Sequence, residues 1–488
     1  MPSTDRSETY KRVALVAARK TADVLSRADA GEAVRVTITG GPGTDPHSLG
    51  KATDTSYSSE DVGVGAWAVD ASNNYAPLSL DGSGNLKVTS SGGEVRISGP
   101  LTAFGELLVG ELTPLVHLTF PICDNTDIIV KNKTTGTADI TNGDSMIQLS
   151  TGTDASQTAS YQSRRVVKYR TGLGILVRFT AIFTTGVVGT YQWIGMGDGV
   201  GTGNDGLFFG YYGESFGIVH VQNGTPHHHP QTSWNVDKMV DGSGPSGMTL
   251  DKTKLNVFQI TSQWLGAGNI RFYVENPNTG LFQLVNVISY PNQHTTPSLF
   301  NPILPLSAWV SNGATNNNIV LKTASMMGSV EGKNVITGPS NSHTAAITTS
   351  ATTETGFLAL RNRATYLTLP NRVRVYLTAF SGLNDTNKAV TFSVYQGRAD
   401  SGGTQPGGTW GNVSTDTSVM EYINGPTGTL PPSGAAKKMC IVIPKDNGVN
   451  EELSAFDIFL GPEEWIWVTV VTPTTGEVSG TFVWKEDF

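Results

Sequence analysis

Ile175-Leu176-Val177-Arg178-Phe179-Thr180-Ala181-Ile182-Phe183 is the stretch on which the fold turns. It is continuously apolar in one half and alternating in the other, and its β-branched and aromatic content marks a long strand. Similar runs follow it: Tyr191–Gly195, Leu207–Tyr212, Phe216–Val221 and Asn256–Ile260. Asn269–Val274 and Leu281–Val285 are joined through Asn276-Pro277-Asn278-Thr279-Gly280, a hairpin with a five-residue polar turn. Strand-length runs separated by frequent turn signals predict two antiparallel sheets packed face to face.

Outward from this region the pattern stays β. Val116–Phe120 and Ile128–Val130 precede it. Val373–Leu377, Val390–Tyr395, Cys440–Ile443, Trp465–Val471 and Gly480–Trp484 follow it. Trp465 and Trp467 share one side of a strand while Ile466 and Val468 face the other. That strand is therefore expected to be covered on both faces, the second by a neighbouring domain or subunit. The exception to the β pattern is residues 6–28, where Tyr10, Ala14, Ala17, Thr21, Val24 and Ala28 recur at four- and three-residue spacings. This is the seam of a helix, read here as an anchor or self-association element. Its alanines bury too little area to hold an oligomer alone.

The expected fold class is all-β: an N-terminal helix (1–30), a small β anchoring module (31–98), a β-sandwich (99–335), a linker (336–355) and a C-terminal β-sandwich (356–488). Composition agrees. Charged residues make up only 15% of the 488 and glycine contributes 56, which disfavours long solvated helices and favours short strands joined by turns. The net charge of −8 argues against a nucleic-acid partner. No apolar run is long enough for a membrane span, and the N-terminus lacks the apolar core of a secretory signal. Cys123 and Cys440 fall in different predicted domains and are expected to be unbridged thiols. The anchoring module has too few apolar residues for its own core, so a homo-oligomer, most simply a trimer, is expected to complete it.

Three stretches carry a resemblance. One is Val62–Asp70 followed by Tyr75-Ala76-Pro77-Leu78-Ser79-Leu80-Asp81-Gly82-Ser83-Gly84-Asn85-Leu86-Lys87-Val88. Another is the region holding Arg164-Arg165, Tyr169-Arg170, Asn204-Asp205-Gly206, Phe208–Tyr211 and Gln263–Gly266. The last is the ending Trp484-Lys485-Glu486-Asp487-Phe488. Together they resemble virion structural proteins, of collar, head-fibre or tail-fibre type, from tailed bacteriophages and some large DNA viruses. The middle stretch is similar to their concanavalin-like jelly rolls. The resemblance implies a non-enzymatic appendage assembled in the host cytoplasm, with capsid, neck or tail proteins as partners and no cofactor. Its segment between Val69 and Tyr75 is shorter than usual for such proteins.

Several residues are candidates for binding. Tyr191, Trp193, Tyr211, Tyr212 and Trp234 would supply flat rings for a host-surface glycan, although strand aromatics are usually core. His227 and His229, alternate members of a histidine run read as a polar loop, would meet a metal on an oligomer axis; the plainer reading is an exposed loop. Asp198, Asn204 and Asp205 lie in a glycine-rich loop whose oxygens suit calcium, or equally the closing of the loop itself. Glu214 and Glu275 are the carboxylates a glycosidase reading would nominate, and no G-x-S-x-G elbow occurs.

Overall fold

The computed structural model describes residues 111–121, 125–199, 201–399 and 403–488, with eight short strands among residues 37–94. The chain divides into two compact units, 1–109 and 110–488. The proposed helix, with Tyr10, Ala14, Ala17, Val24 and Ala28, lies outside the described residues, as does Cys123.

In the first unit the strands form four small antiparallel hairpins. β1 (Thr37–Ile38) pairs with β2 (His47–Ser48), and β3 (Trp67–Val69) with β4 (Tyr75–Pro77). β5 (Ser79–Leu80) pairs with β6 (Leu86–Lys87), and β7 (Thr89–Ser90) with β8 (Gly93–Glu94).

The second unit begins with a sandwich built from β9 (Leu112–Thr119), β10 (Ile129–Lys133), β11 (Asp139–Gly143), β12 (Met146–Ser150), β13 (Thr158–Lys168) and β14 (Gly174–Phe183). β15 (Tyr191–Gly197), β16 (Gly206–Tyr212), β17 (Ser215–Gln222), β18 (Thr225–Pro230), β19 (Asn256–Ser262), β20 (Ile270–Asn276) and β21 (Leu281–Ile288) come next. β22 (Ile303–Ser311), β23 (Val320–Thr323) and β24 (Ser325–Glu331) complete it. One sheet has the order β10-β13-β22-β15-β16-β17-β18; the facing one is centred on β14 and β19. Alternation decides which rings point inward. Val177, Phe179, Ala181 and Phe183 of β14 meet Ile194, Leu207, Phe209 and Leu306 from the other sheet in one core. Phe258 stands between Phe179 and Phe209, at centroid distances of 5.7 and 4.8 Å.

The C-terminal sandwich is organised by two long strands, β25 (Ser340–Asn362) and β35 (Glu464–Asp487). Between them lie β26 (Thr365–Tyr366), β27 (Leu369–Pro370), β28 (Arg374–Asp385), β29 (Val390–Arg398), β30 (Gly411–Asn412), β31 (Met420–Asn424), β32 (Ala436–Ile443), β33 (Asn447–Glu452) and β34 (Phe459–Leu460). The first part of β35 pairs with β29 and the last part with β28, while β25 follows β35 along both parts. The long pair thus passes from one layer of the sandwich into the other. Register shifts in β25 between Thr349 and Leu358 mark the passage. Even-numbered residues of β35 face the core on both sides of it, from Ile466, Val468 and Val470 to Val478, Phe482 and Trp484.

Two sequence-based expectations are corrected here. Residues 336–355 are mostly strand and not a linker, because β25 starts at Ser340. Most of its side chains there are small, polar and at least partly exposed, so the pairing leaves no apolar periodicity. The second concerns Trp465 and Trp467. They are buried on the face opposite Ile466, as expected, but their cover comes from the same domain: Trp410, Leu430 and Ala435 pack on them. Gly428 allows this close approach. Its φ is +142°, and a Cβ there would stand 2.8 Å from the Trp467 ring.

Candidate functional site

The outward face of the seven-stranded sheet carries an aromatic cluster separate from the main core: Trp193, Phe208, Val219 and Val221, with Tyr191 and Trp309 against them. It arises from parity, since Ile194, Leu207 and Phe209 point in and their neighbours point out. The Trp193 ring stacks on Tyr191 at 4.6 Å and lies nearly parallel to Tyr212 at 6.0 Å. Its indole N–H donates to the Tyr211 carbonyl at 2.9 Å.

Of the five candidate glycan residues, only Tyr212 is exposed, at 46%, and Tyr191 is half-buried. Trp193 is covered by its neighbours, and Tyr211 and Trp234 belong to the main core. These three rings are thus corrected to packing roles, because a buried ring offers a sugar no free face. Trp234 donates its indole N–H to the His229 carbonyl at 3.2 Å.

His227 and His229 do not sit in a loop. Thr225–Pro230 is β18, the edge strand of the sheet. His227 is paired with His220 and His229 with Ile218, so both take the inward-facing parity at the edge. His220 is buried, and its Nε2–H donates to the Ser298 carbonyl at 2.5 Å. Burial lowers its pKa to about 4, with His227, His229 and His294 adding repulsion against the hydrogen bond to Ser298. Burial lowers His229 as well, and His227 adds to this. Among the described residues no group of three His, Cys, Asp or Glu side chains is placed to hold a metal ion.

The loop acids close their loop. Asp205 is buried and accepts backbone N–H groups from Asn223, Phe300 and Asn301 at 2.9–3.2 Å. Asp198 accepts the Asp205 N–H at 2.7 Å and the Asn301 amide at 3.1 Å. Glu214 lies in the turn between β16 and β17, whereas Glu275 is on β20 in the facing sheet.

The densest polar chemistry was not singled out as a site from sequence. It lies where the two sandwiches meet. The Arg164 guanidinium grips Glu464 through Nε at 3.1 Å and Nη2 at 2.7 Å, with both side chains at most 7% exposed. Arg170 holds Asp487 in a two-pronged pair at 2.7 and 2.8 Å, and the Lys168 ammonium lies 3.1 Å from the same carboxylate. Burial lowers the Lys168 pKa, and Asp487 opposes the shift. Arg165 pairs with Asp457 and lies 4.9 Å above the Phe459 ring; Lys438 reaches Asp127 at 2.9 Å. Strand alternation divides the acidic ending. Asp487 turns to the first sandwich, while Glu486 turns inward, where Trp484, Ser418, Asn341 and the Val419 N–H all donate to it.

Beside these pairs is a cleft of about 500 Å³ walled by both sandwiches, with Arg164, Arg372, Arg374 and Arg398 among its lining. Arg374 Nε is buried and has no hydrogen-bond partner among the described residues. Burial draws the Arg374 pKa below the usual guanidinium range, with Glu464 opposing.

No family model matches the chain, and no curated protein matches it. Solved structures that align with part of the chain include carbohydrate recognition domains and legume lectins. The Emp47p carbohydrate recognition domain aligns at 10% identity over 46% of this chain and 98% of its own, with a TM-score of 0.30. Lectin UEA-II complexed with galactose aligns at 9% identity, covering 45% of this chain and 100% of its own, with a TM-score of 0.29. Lectin I-B4 from Griffonia simplicifolia gives 12% identity, 45% and 100% coverage, and a TM-score of 0.29.

Proposed function

We propose that this chain is a non-enzymatic structural protein of a virion: an oligomeric fibre, spike or collar appendage, anchored through its N-terminal region and presenting two docked sandwiches. The observation that carries the reading is the junction. Buried, two-pronged Arg–carboxylate pairs define one relative orientation, and loss of one partner leaves a charge buried, so the sandwiches resist moving apart. A stiff, turn-rich body whose most deeply buried ion pairs lie at a junction suits display better than catalysis. The N-terminal resemblance to collar and fibre proteins supplies the particle. Immunogold labelling of purified particles with an antibody raised against residues 110–488 tests this, together with copy number from quantitative mass spectrometry. Surface decoration at a copy number that is a multiple of the oligomer is expected. Particles free of the chain would refute the proposal.

A second reading is receptor recognition, with the first sandwich binding host-surface glycans. Exposed Tyr212, beside the stacked Tyr191 and Trp193, favours it. A glycan array probed with the full chain should show hits that Tyr212→Ala removes. An array without reproducible hits at high protein concentration would count against it.

A further inference from the structure

We infer that the cleft between the two sandwiches is a binding site for a small carboxylate-bearing saccharide, with Arg372 and Arg374 as the carboxylate contacts. This goes beyond the virion reading and needs only that the sandwiches are docked as described.

Several charges of the lining are already taken. Glu464 is held by Arg164, and its second oxygen accepts the Gly461 N–H at 2.8 Å. Asp198 is held by the Asp205 N–H and the Asn301 amide, and Arg372 also attracts it. Glu463, the third carboxylate, is exposed at the rim. Arg164 spends its remaining Nη1 on the Asp127 carbonyl at 2.8 Å. Arg398 is engaged by a partner of its own, whereas Arg374, also in the lining, keeps a buried Nε with no acceptor among the described residues. A buried donor left without a partner is uncommon and costly, and an incoming anion would satisfy it.

The shape selects the anion. A planar guanidinium fork matches a carboxylate in two-pronged fashion. About 500 Å³ falls in the range of small-molecule sites and far exceeds what an inorganic ion fills. The remaining walls mix Pro305, Pro370 and Pro462 with the polar side chains of Asn204 and Gln162. A sugar ring presents apolar C–H faces and hydroxyl edges, which suits such walls, and a sugar acid adds the carboxylate.

The test is calorimetric titration of the full chain with glucuronate, galacturonate and N-acetylneuraminate, alone and as terminal residues of short oligosaccharides. Glucose, N-acetylglucosamine and sodium sulfate are the comparison ligands. At least one sugar acid is expected to bind at least tenfold more tightly than its neutral counterpart, more weakly as salt rises. Arg372→Ala and Arg374→Gln should each weaken it at least tenfold. The Arg372 variant keeps the test decisive if the Arg374 variant misfolds; circular dichroism checks both. Equal binding of neutral sugars, sulfate binding as tight as any sugar acid, or unchanged affinity in the folded Arg372→Ala protein would each overturn the assignment. Loss of sugar-acid binding in Tyr212→Ala but not in Arg372→Ala would place recognition on the outer sheet face and likewise overturn it.

Discussion

Replacing Asp487 by asparagine should loosen the C-terminal sandwich and its hold on the first one together. The change preserves shape and removes one charge. The Asp487 side chain is fully buried, and two cations converge on it, Arg170 at 13% and Lys168 at 10% exposure. Salt screens such a site poorly, and removing one member of a buried pair typically costs about 3–5 kcal/mol, because the partner charge stays desolvated. For a domain of this size 1 kcal/mol moves the melting temperature by about 2–4 °C, so a fall of roughly 10 °C is expected. Differential scanning calorimetry of the full chain is the assay, with the C-terminal transition moving below that of the first sandwich. The half-exposed pair Lys133–Asp139 is the control: Lys133→Ala should cost less than about 1 kcal/mol. Substituting Lys168, Arg170 and Asp487 together by methionine, methionine and leucine should recover most of the loss. If Asp487→Asn costs less than about 1 kcal/mol, the pairs do not hold the junction and the argument for a stiff displayed body fails.

Three further expectations follow from burial. Trp467→Ala removes a fully buried ring and should cost about 3–5 kcal/mol, unfolding the C-terminal sandwich in a separate transition while the sandwich beginning at Leu112 persists; unchanged melting would remove β35 from its central role. His220 has a folded-state pKa of about 4 against about 6.5 unfolded, so the unfolded chain binds more protons between these values. Stability should therefore fall as pH drops from about 6.5 to 4, by about 3 kcal/mol from this residue. His227, His229 and His294 face it and add to the repulsion, and His220→Gln should flatten the slope in urea titrations. Cys440 is exposed and unbridged, so a thiol reagent should label it in the folded protein and Cys440→Ser should leave assembly intact. A large loss of melting temperature on adding reductant would contradict that.

What could be read in advance divides by the range of the interactions involved. Strands with apolar alternation, such as Ile175–Phe183 and Trp465–Val471, announce themselves because each residue's neighbour two places away shares its face. β25 did not: Thr344, Thr348 and Thr349 satisfy a ladder without declaring an inside. Pro226 and Pro230 around the histidines resemble loop punctuation, yet an edge strand tolerates proline, and here they are its second and last residues. The outward stack at Trp193 is indistinguishable from core in sequence, since inward Phe209 and outward Phe208 are adjacent and both buried. The junction was least legible. Arg164 and Glu464 are 300 residues apart, and no local pattern links them.

The path of β35 carries a consequence for the order in which the chain can fold. A straight strand of its 24 residues would span roughly 75 Å, yet Glu464 meets Arg164 and Asp487 meets Arg170, only six residues further along. The strand must double over, and Ser340 waits for Lys485 as its partner. During synthesis the first sandwich has all its strands once Glu331 emerges from the ribosome. The second holds unpaired edges over more than a hundred further residues until its last strand arrives, a long exposure to mispairing with other nascent copies. When Asp487 does arrive, closure of that layer and capture by the waiting Arg170 and Lys168 occur at adjoining residues. Completion of the fold and docking of the two halves thus become one late, cooperative event.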